Sequence, residues 1–336
     1  MIGSETESEE VPKTFQVIYS TMIHWTRLIA GGLVLPIVFP WLVYTLYKSH
    51  FKNKIFRDKS LEDKVVLITG ASSGLGEALA HAFHRAGARV ILAARRKDAL
   101  EKVKNDLITK YQSKNTPAVL PLDLHDLKAI KEKATKALDF YGHIDILINN
   151  GGVSFRGEIV DTDLEVDLRI MVTNYFGPVA LTKAILPSML ERNSGYIIAI
   201  SSVQGKIAIP FRSAYSASKH ATQAFFDTLK SELSHTNIHV CVVSPGYVHT
   251  NLSLNAVTAR GETYGVMDHT TATGMDPNEA AESIIIATAA KRSELVLAGI
   301  LPKIAIWVRV LCSWLYFYLM GSRAQRIRAA NTIKQD

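Results

Sequence analysis

The chain has 336 residues, 48% hydrophobic and 21% charged, with a formal net charge of +7. That is enough apolar material for one large domain plus extra segments, and it excludes a globally disordered chain. Its two cysteines, Cys241 and Cys312, are too few for a disulfide framework and lack metal-ligand spacing, so no metal is expected. The basic excess gathers after the first apolar run and in the last fifteen residues. This points to a membrane surface and not to nucleic acid.

Residues 1–27 form an acidic N-terminal tail, with Glu5, Glu7, Glu9 and Glu10. Residues 28–47 contain no charge, and 20 apolar residues suffice to cross a ~30 Å hydrocarbon core as a helix. Trp25, Trp41, Tyr44 and Tyr47 suit the two interfaces, and Pro36 and Pro40 predict a kink that membrane helices tolerate. No small-residue cleavage site follows, so an uncleaved transmembrane anchor is expected; the alternative is a buried core helix. Residues 48–60 are a basic linker with Lys48, Lys52, Lys54, Arg57 and Lys59, against only Lys13 and Arg27 upstream. The positive-inside rule then places everything downstream in the cytoplasm.

From residue 61 the pattern alternates between short apolar runs and helical stretches. KVVLIT, RVILAA, AVLPLD, IDILIN, YIIAIS, IHVCVVS and ELVLAG read as seven strands, with helices expected over 74–85, 97–111 and near 127–140. Continuous apolar strands separated by helices predict an α/β domain over 61–300, a single Rossmann-type doubly wound parallel sheet of seven strands.

The first strand runs into TGASSGLG and a helix. Gly70, Gly74 and Gly76 permit a tight turn and close backbone approach to a pyrophosphate. Ser72, Ser73 and Leu75 lie between them at the helix N-terminus, where N–H groups and the dipole favour phosphate. At the end of the second strand Ala94 stands where an acid would hold the ribose of NAD, followed by Arg95 and Arg96. Two guanidinium groups there predict NADP(H) in preference to NAD. The alternative is that one arginine is a solvated loop charge.

AYSASKHATQ places Tyr215 and Lys219 four apart on one helical face. Alone this is an ordinary surface pair. Ser202 at the end of the fifth strand, Asn174 in VTNYFG, NNGG after the fourth strand and PGYVHT after the sixth change that reading. Together these motifs make the chain resemble the short-chain dehydrogenase/reductases over roughly 61–300, with NNGG where the family usually has NNAG. The resemblance implies a catalytic set of Asn174, Ser202, Tyr215 and Lys219. Tyr215 is the acid/base, Lys219 lowers its pKa and holds cofactor ribose, Ser202 orients the substrate oxygen, and Asn174 holds a water of a proton relay. It also implies cofactor contacts from Asp123, Asn149, Asn150, Pro245, Gly246 and Thr250. For Asp123 a helix cap is the alternative. NYFGPVALTKAILPSM and IPFRSAYSASKHATQAFFD extend the resemblance to a membrane-anchored branch of the family associated with reduction of acyl- or alkyl-dihydroxyacetone phosphate in ether-lipid synthesis, and endoplasmic reticulum and peroxisome are the two expected locations.

The polar stretch after Thr250 is expected as a lid over the substrate. Asn251-Leu252-Ser253 within it is an N-glycosylation sequon. Arg156 and Arg212 flank the catalytic motifs and are candidates for a substrate phosphate, the alternative being exposed loop charge. Residues 301–336 read as a C-terminal amphipathic helix and basic tail lying on anionic lipid. Their uncharged run, Val310 to Met320, spans only 11 residues, too short to cross. A homodimer interface is the alternative. The expected function is NADPH-dependent reduction of a lipophilic ketone. A steroid or retinoid ketone is the second substrate class, and a catalytically idle, cofactor-sensing membrane scaffold is the rival of a different kind.

Overall fold

A computed structural model describes residues 61–111 and 113–332, with the isolated positions Thr21 and Val43. The acidic tail, the expected anchor over 28–47 and the basic linker lie outside the described residues. Among the described residues no helix is long and apolar enough to cross a membrane.

The seven expected strands all form, and they make one parallel sheet. In chain order they are β1 (Val65–Thr69), β2 (Arg89–Ala94), β3 (Ala118–Pro121), β4 (Ile146–Asn149), β6 (Gly195–Ile200), β7 (Ile238–Pro245) and β9 (Glu294–Leu297). They lie in the order β3-β2-β1-β4-β6-β7-β9. Every residue of β1 and β4 is buried, as strands covered on both faces must be. The sequence order reverses direction between β1 and β4, so their carboxyl ends splay apart and leave a crevice there.

Helices cover both faces. On one side α1 (Gly74–Arg85) packs on α8 (Pro277–Ala289), with α2 (Lys97–Lys110) alongside. On the other lie α3 (Ile130–Asp139), α4 (Leu164–Met171), α5 (Gly177–Glu191) and α6 (Ser213–Glu232). The core of that face joins Leu67, Leu147 and Ile197 of the sheet to Leu181 and Ile185 of α5 and Phe226 of α6. One π-helical turn, Val172–Phe176, joins α4 to α5 and turns Asn174 into the interior, where it is 2% exposed.

Two elements differ from the sequence reading. The segment after Thr250 is not plain loop: β8 (Val257–Thr258) pairs in parallel with β5 (Phe155–Arg156), and a short helix α7 (His269–Ala272) follows. Strands of two residues carry no readable periodicity. The C-terminal segment is two helices, α9 (Ile300–Leu311) and α10 (Ser313–Thr332), broken at Cys312. Neither glycine nor proline stands at the break. What it accomplishes is tertiary: it seats Tyr316 in the protein, 2% exposed, with its hydroxyl donating to the Ala208 carbonyl.

Candidate active site

The glycine turn after β1 is built as its spacing requires. Gly70 has φ +68° and Gly74 φ +58°, the left-handed region that glycine enters without strain. A Cβ on Gly76 would lie 2.1 Å from the Gly70 carbonyl oxygen, so the turn closes only with glycine there. Ser73 is extended and its side chain caps no N–H of α1. The helix N-terminus, with Ser72, Leu75 and the three glycines, therefore lines a cleft of about 470 Å³ that runs over the carboxyl ends of the strands.

Thr69 stitches the cleft floor together. Its hydroxyl accepts from the Asn150 and Gly151 N–H groups at 3.0 and 2.9 Å, and the Asn150 carboxamide donates to the Thr69 carbonyl at 2.9 Å. Asn150 thus lines the cleft, but Asn149 does not. Adjacent residues of an extended chain point to opposite sides. Asn149 accordingly faces α5, where its carboxamide donates to Thr182 Oγ1 at 2.9 Å. The Asn149 side chain thus holds β4 to α5 and does not reach the cleft where the cofactor contact was expected. Gly151 has a local reason as well: a Cβ there would lie 2.7 Å from Leu124 Cδ1.

At the far end of the cleft Arg95 and Arg96 are exposed on its wall and, among the described residues, neither has an ion-pair partner. Asp123 also lines the wall, and its carboxylate accepts from the His125 N–H at 2.9 Å, so it caps a turn while facing the cleft. Pro245, Gly246 and Thr250 form the opposite side, with Thr250 Cγ2 only 3.0 Å from where a Cβ on Gly74 would be. Turn, arginines and Pro-Gly segment therefore form one continuous cradle.

The structure brings the four expected catalytic residues together at the inner end of this cradle. Tyr215 and Lys219 project from α6, Ser202 follows β6, and all three line the cleft while remaining at most 6% exposed. The Lys219 ammonium donates to the Ile200 carbonyl at 2.8 Å and lies 5.7 Å from the Tyr215 ring centre. Burial brings its pKa down to about 8. Burial pushes the Tyr215 phenol upward. A hydrogen bond with Ser202 and the positive charges of Arg156 and Arg212 pull the other way. Asn174 is committed to its neighbours: its carboxamide accepts from the Val153 N–H at 2.8 Å and donates to the Val153 carbonyl at 2.9 Å and to Ser218 Oγ at 3.0 Å. It thereby ties the segment following NNGG to α6.

Arg156 and Arg212 are not exposed loop charges. Arg156 is 9% exposed, and both its Nε and Nη2 donate to Asp268 Oδ2, at 2.9 and 2.6 Å. Arg212 reaches the same oxygen at 3.1 Å. Two guanidinium groups share one carboxylate, which leaves a net positive charge beside Tyr215. Burial and the nearby Arg156 bring the Arg212 pKa down to about 10. Arg156 and Ser202 line a second cavity of about 240 Å³ next to the first, whereas Arg212 lines neither. Tyr215, Gly246, Val248 and Leu252 line both cavities, so the phenol stands at their junction.

A family model described as short chain dehydrogenase matches residues 64–260. The chain is a short-chain dehydrogenase/reductase. The Drosophila melanogaster "Dehydrogenase/reductase SDR family protein 7-like" is 51% identical over 310 residues, 92% of this chain and 94% of that one. The Bos taurus "Dehydrogenase/reductase SDR family member 7B" is 52% identical over 271 residues, 80% and 83% of the two chains. Among solved structures, a short-chain dehydrogenase from Streptomyces avermitilis aligns at 32% identity and TM-score 0.63, over 82% of this chain and 97% of that chain. One from Burkholderia cenocepacia, in complex with NADP, aligns at 25% identity and TM-score 0.63, over 77% and 98%.

For a short-chain dehydrogenase/reductase, then, this chain has an oxidoreductase cradle; of the expected residues, Asn149, Asn174 and Arg212 line neither cavity and Arg156 lines only the second. Sequence reasoning missed Asp268, Tyr247 and Arg323. Asp268 lies 112 positions from the Arg156 it neutralises, a separation at which no local pattern survives. Tyr247 stood unread inside PGYVHT, and Arg323 was read only as part of a basic tail.

Proposed function

We propose that this short-chain dehydrogenase/reductase reduces the carbonyl of a lipophilic substrate with NADPH at a membrane surface. The observation that carries the reading is the position of Tyr215, buried beside Lys219 and Ser202 where a polar cleft meets a mostly apolar cavity. The glycine cradle fits a dinucleotide pyrophosphate, since Gly76 admits no side chain and α1 presents its positive end there. Arg95 and Arg96, without an ion-pair partner among the described residues, favour the 2′-phosphate of NADP over NAD, and the NADP-bound Burkholderia relative supports a nicotinamide nucleotide.

Bound in the cleft, the reduced cofactor supplies a hydride to the carbonyl carbon. Ser202 donates a hydrogen bond to the carbonyl oxygen and fixes its direction. Tyr215 gives its phenolic proton to that oxygen as negative charge develops, and the resulting phenolate is held by the Lys219 ammonium and by the excess charge of the Arg156–Asp268–Arg212 cluster. Solvent then returns the proton.

The lead substrate is an acyl- or alkyl-dihydroxyacetone phosphate, with steroid or retinoid ketones behind it. The apolar walls Ile207, Ile209, Leu301 and Met320 support a greasy ligand in general. Residues 28–47 anchor the chain in the endoplasmic reticulum or peroxisome, 48–60 link the anchor to the catalytic domain over 61–300, and 301–336 associate with the same membrane. The basic flank places the domain in the cytoplasm. Full-length protein in membranes should consume NADPH with at least one ketone of a panel of acyl-dihydroxyacetone phosphates and neutral steroids. Tight NADPH binding with no oxidation on any ketone would support the idle-scaffold reading instead.

A further inference from the structure

The cavity beside Tyr215 has two cationic residues in its wall, and they are not equivalent. Arg156 has its guanidinium fork occupied by Asp268, a carboxylate it shares with Arg212. Arg323, on α10, has no carboxylate partner among the described residues. Its Nη2 donates to the Tyr247 hydroxyl at 3.4 Å, and Tyr247 lines the same cavity close enough to Tyr215 to influence its ionisation.

The fold aims Arg323 at this place. Tyr316 and Arg323 are seven residues apart, about two helical turns, and so share the face of α10 that meets the protein. Tyr316 pins one end of that stretch to the Ala208 carbonyl, and Arg328 pins the other by pairing with Glu158 at 2.7 Å. Between these anchors stands a partly buried guanidinium on the side of the chamber where Leu301, Ala305 and Met320 of the two C-terminal helices, with Ile207 and Ile209, supply apolar wall. A guanidinium without a carboxylate partner among the described residues, in a mostly apolar chamber, suits an amphiphile with an anionic group, and its planar fork matches carboxylate or phosphate oxygens.

We propose that Arg323, and not Arg156 or Arg212, is the residue that selects an anionic lipophilic substrate, by binding its phosphate or carboxylate while the ketone lies at Tyr215. The proposal rests on the reductase reading for the word substrate, but its test does not need turnover. Octyl phosphate, octanoate and octanol are titrated calorimetrically into the full-length wild type and into Arg323→Ala and Arg323→Lys, all checked for equal melting temperature. Wild type is expected to bind an octyl anion at least tenfold more tightly than octanol. The phosphate and carboxylate arms decide which anion is preferred. Arg323→Ala should lose that margin while octanol binding is retained, and Arg323→Lys should recover part of it. Equal affinity of wild type for the anions and octanol, or an undiminished margin in Arg323→Ala, overturns the proposal. So does an equal loss for octanol, which marks a merely structural role. Failure of the reductase reading would show separately, as absence of NADPH oxidation with every ketone.

Discussion

Lys219 combines a functional charge with a folding cost. It is 5% exposed and, among the described residues, its one hydrogen-bond acceptor is the Ile200 carbonyl and it has no carboxylate partner, so its ammonium loses hydration that the fold does not return. Its pKa is about 8 in the folded chain and ~10.4 in an unfolded one, so between those values the unfolded state binds more protons and stability rises with pH. Below pH 8 the full penalty applies. Lys219→Met should therefore inactivate the enzyme yet raise its stability at pH 7 by on the order of 1–3 kcal/mol, the lost bond to Ile200 offsetting part of the gain. That advantage should shrink as pH rises from 8 to 10. Chemical denaturation of both proteins across this range checks it, and a variant less stable than wild type at pH 7 contradicts it. The residue scale is also where the sequence was most readable. Tyr215 and Lys219 are one turn apart on a single helix, and Ser202 and the glycine turn sit at strand ends, so local spacing locates them. Asp268 was not readable, because its meaning comes from a guanidinium more than a hundred residues away.

At the scale of elements, the seven strands were legible because their apolar runs are short, β-branched and bounded by turn residues. The fates of β5, β8 and the break between α9 and α10 were not, because tertiary contacts decide them: the pairing of two residues across the lid, and the seating of Tyr316. The break has a consequence on the outer side of the pair. Trp307, Leu311, Trp314 and Phe317 are 58–78% exposed there, with Lys303 and Arg326 also exposed. An apolar surface with aromatic rings and basic flanks suits an anionic lipid interface. The chain lacking residues 1–60 is therefore expected to sediment with phosphatidylserine-containing vesicles, less with neutral ones, and far less after joint replacement of Trp307 and Trp314 by alanine. If the truncated chain instead ignores both vesicle types and forms a dimer that the double replacement dissociates, the surface is a protein interface.

At the scale of the whole molecule, two halves of one sheet meet at the crevice between β1 and β4, and the C-terminal helices close the cavity beside it. The sheet positions the polar cleft; α9 and α10 supply much of the apolar wall. Tyr215 stands where the two spaces join, and the central claim is that it delivers a proton there as a hydride arrives from NADPH. Transfer of deuterium tests this most directly. NADPH labelled at the nicotinamide C4, on each face in separate preparations, is incubated with the membrane-embedded enzyme and the ketone it reduces. One label should give an alcohol carrying a single deuterium on the former carbonyl carbon, with the rate falling by about 10²–10⁴-fold in Tyr215→Phe. An alcohol free of deuterium from both labels, or an undiminished rate in Tyr215→Phe, would contradict the account.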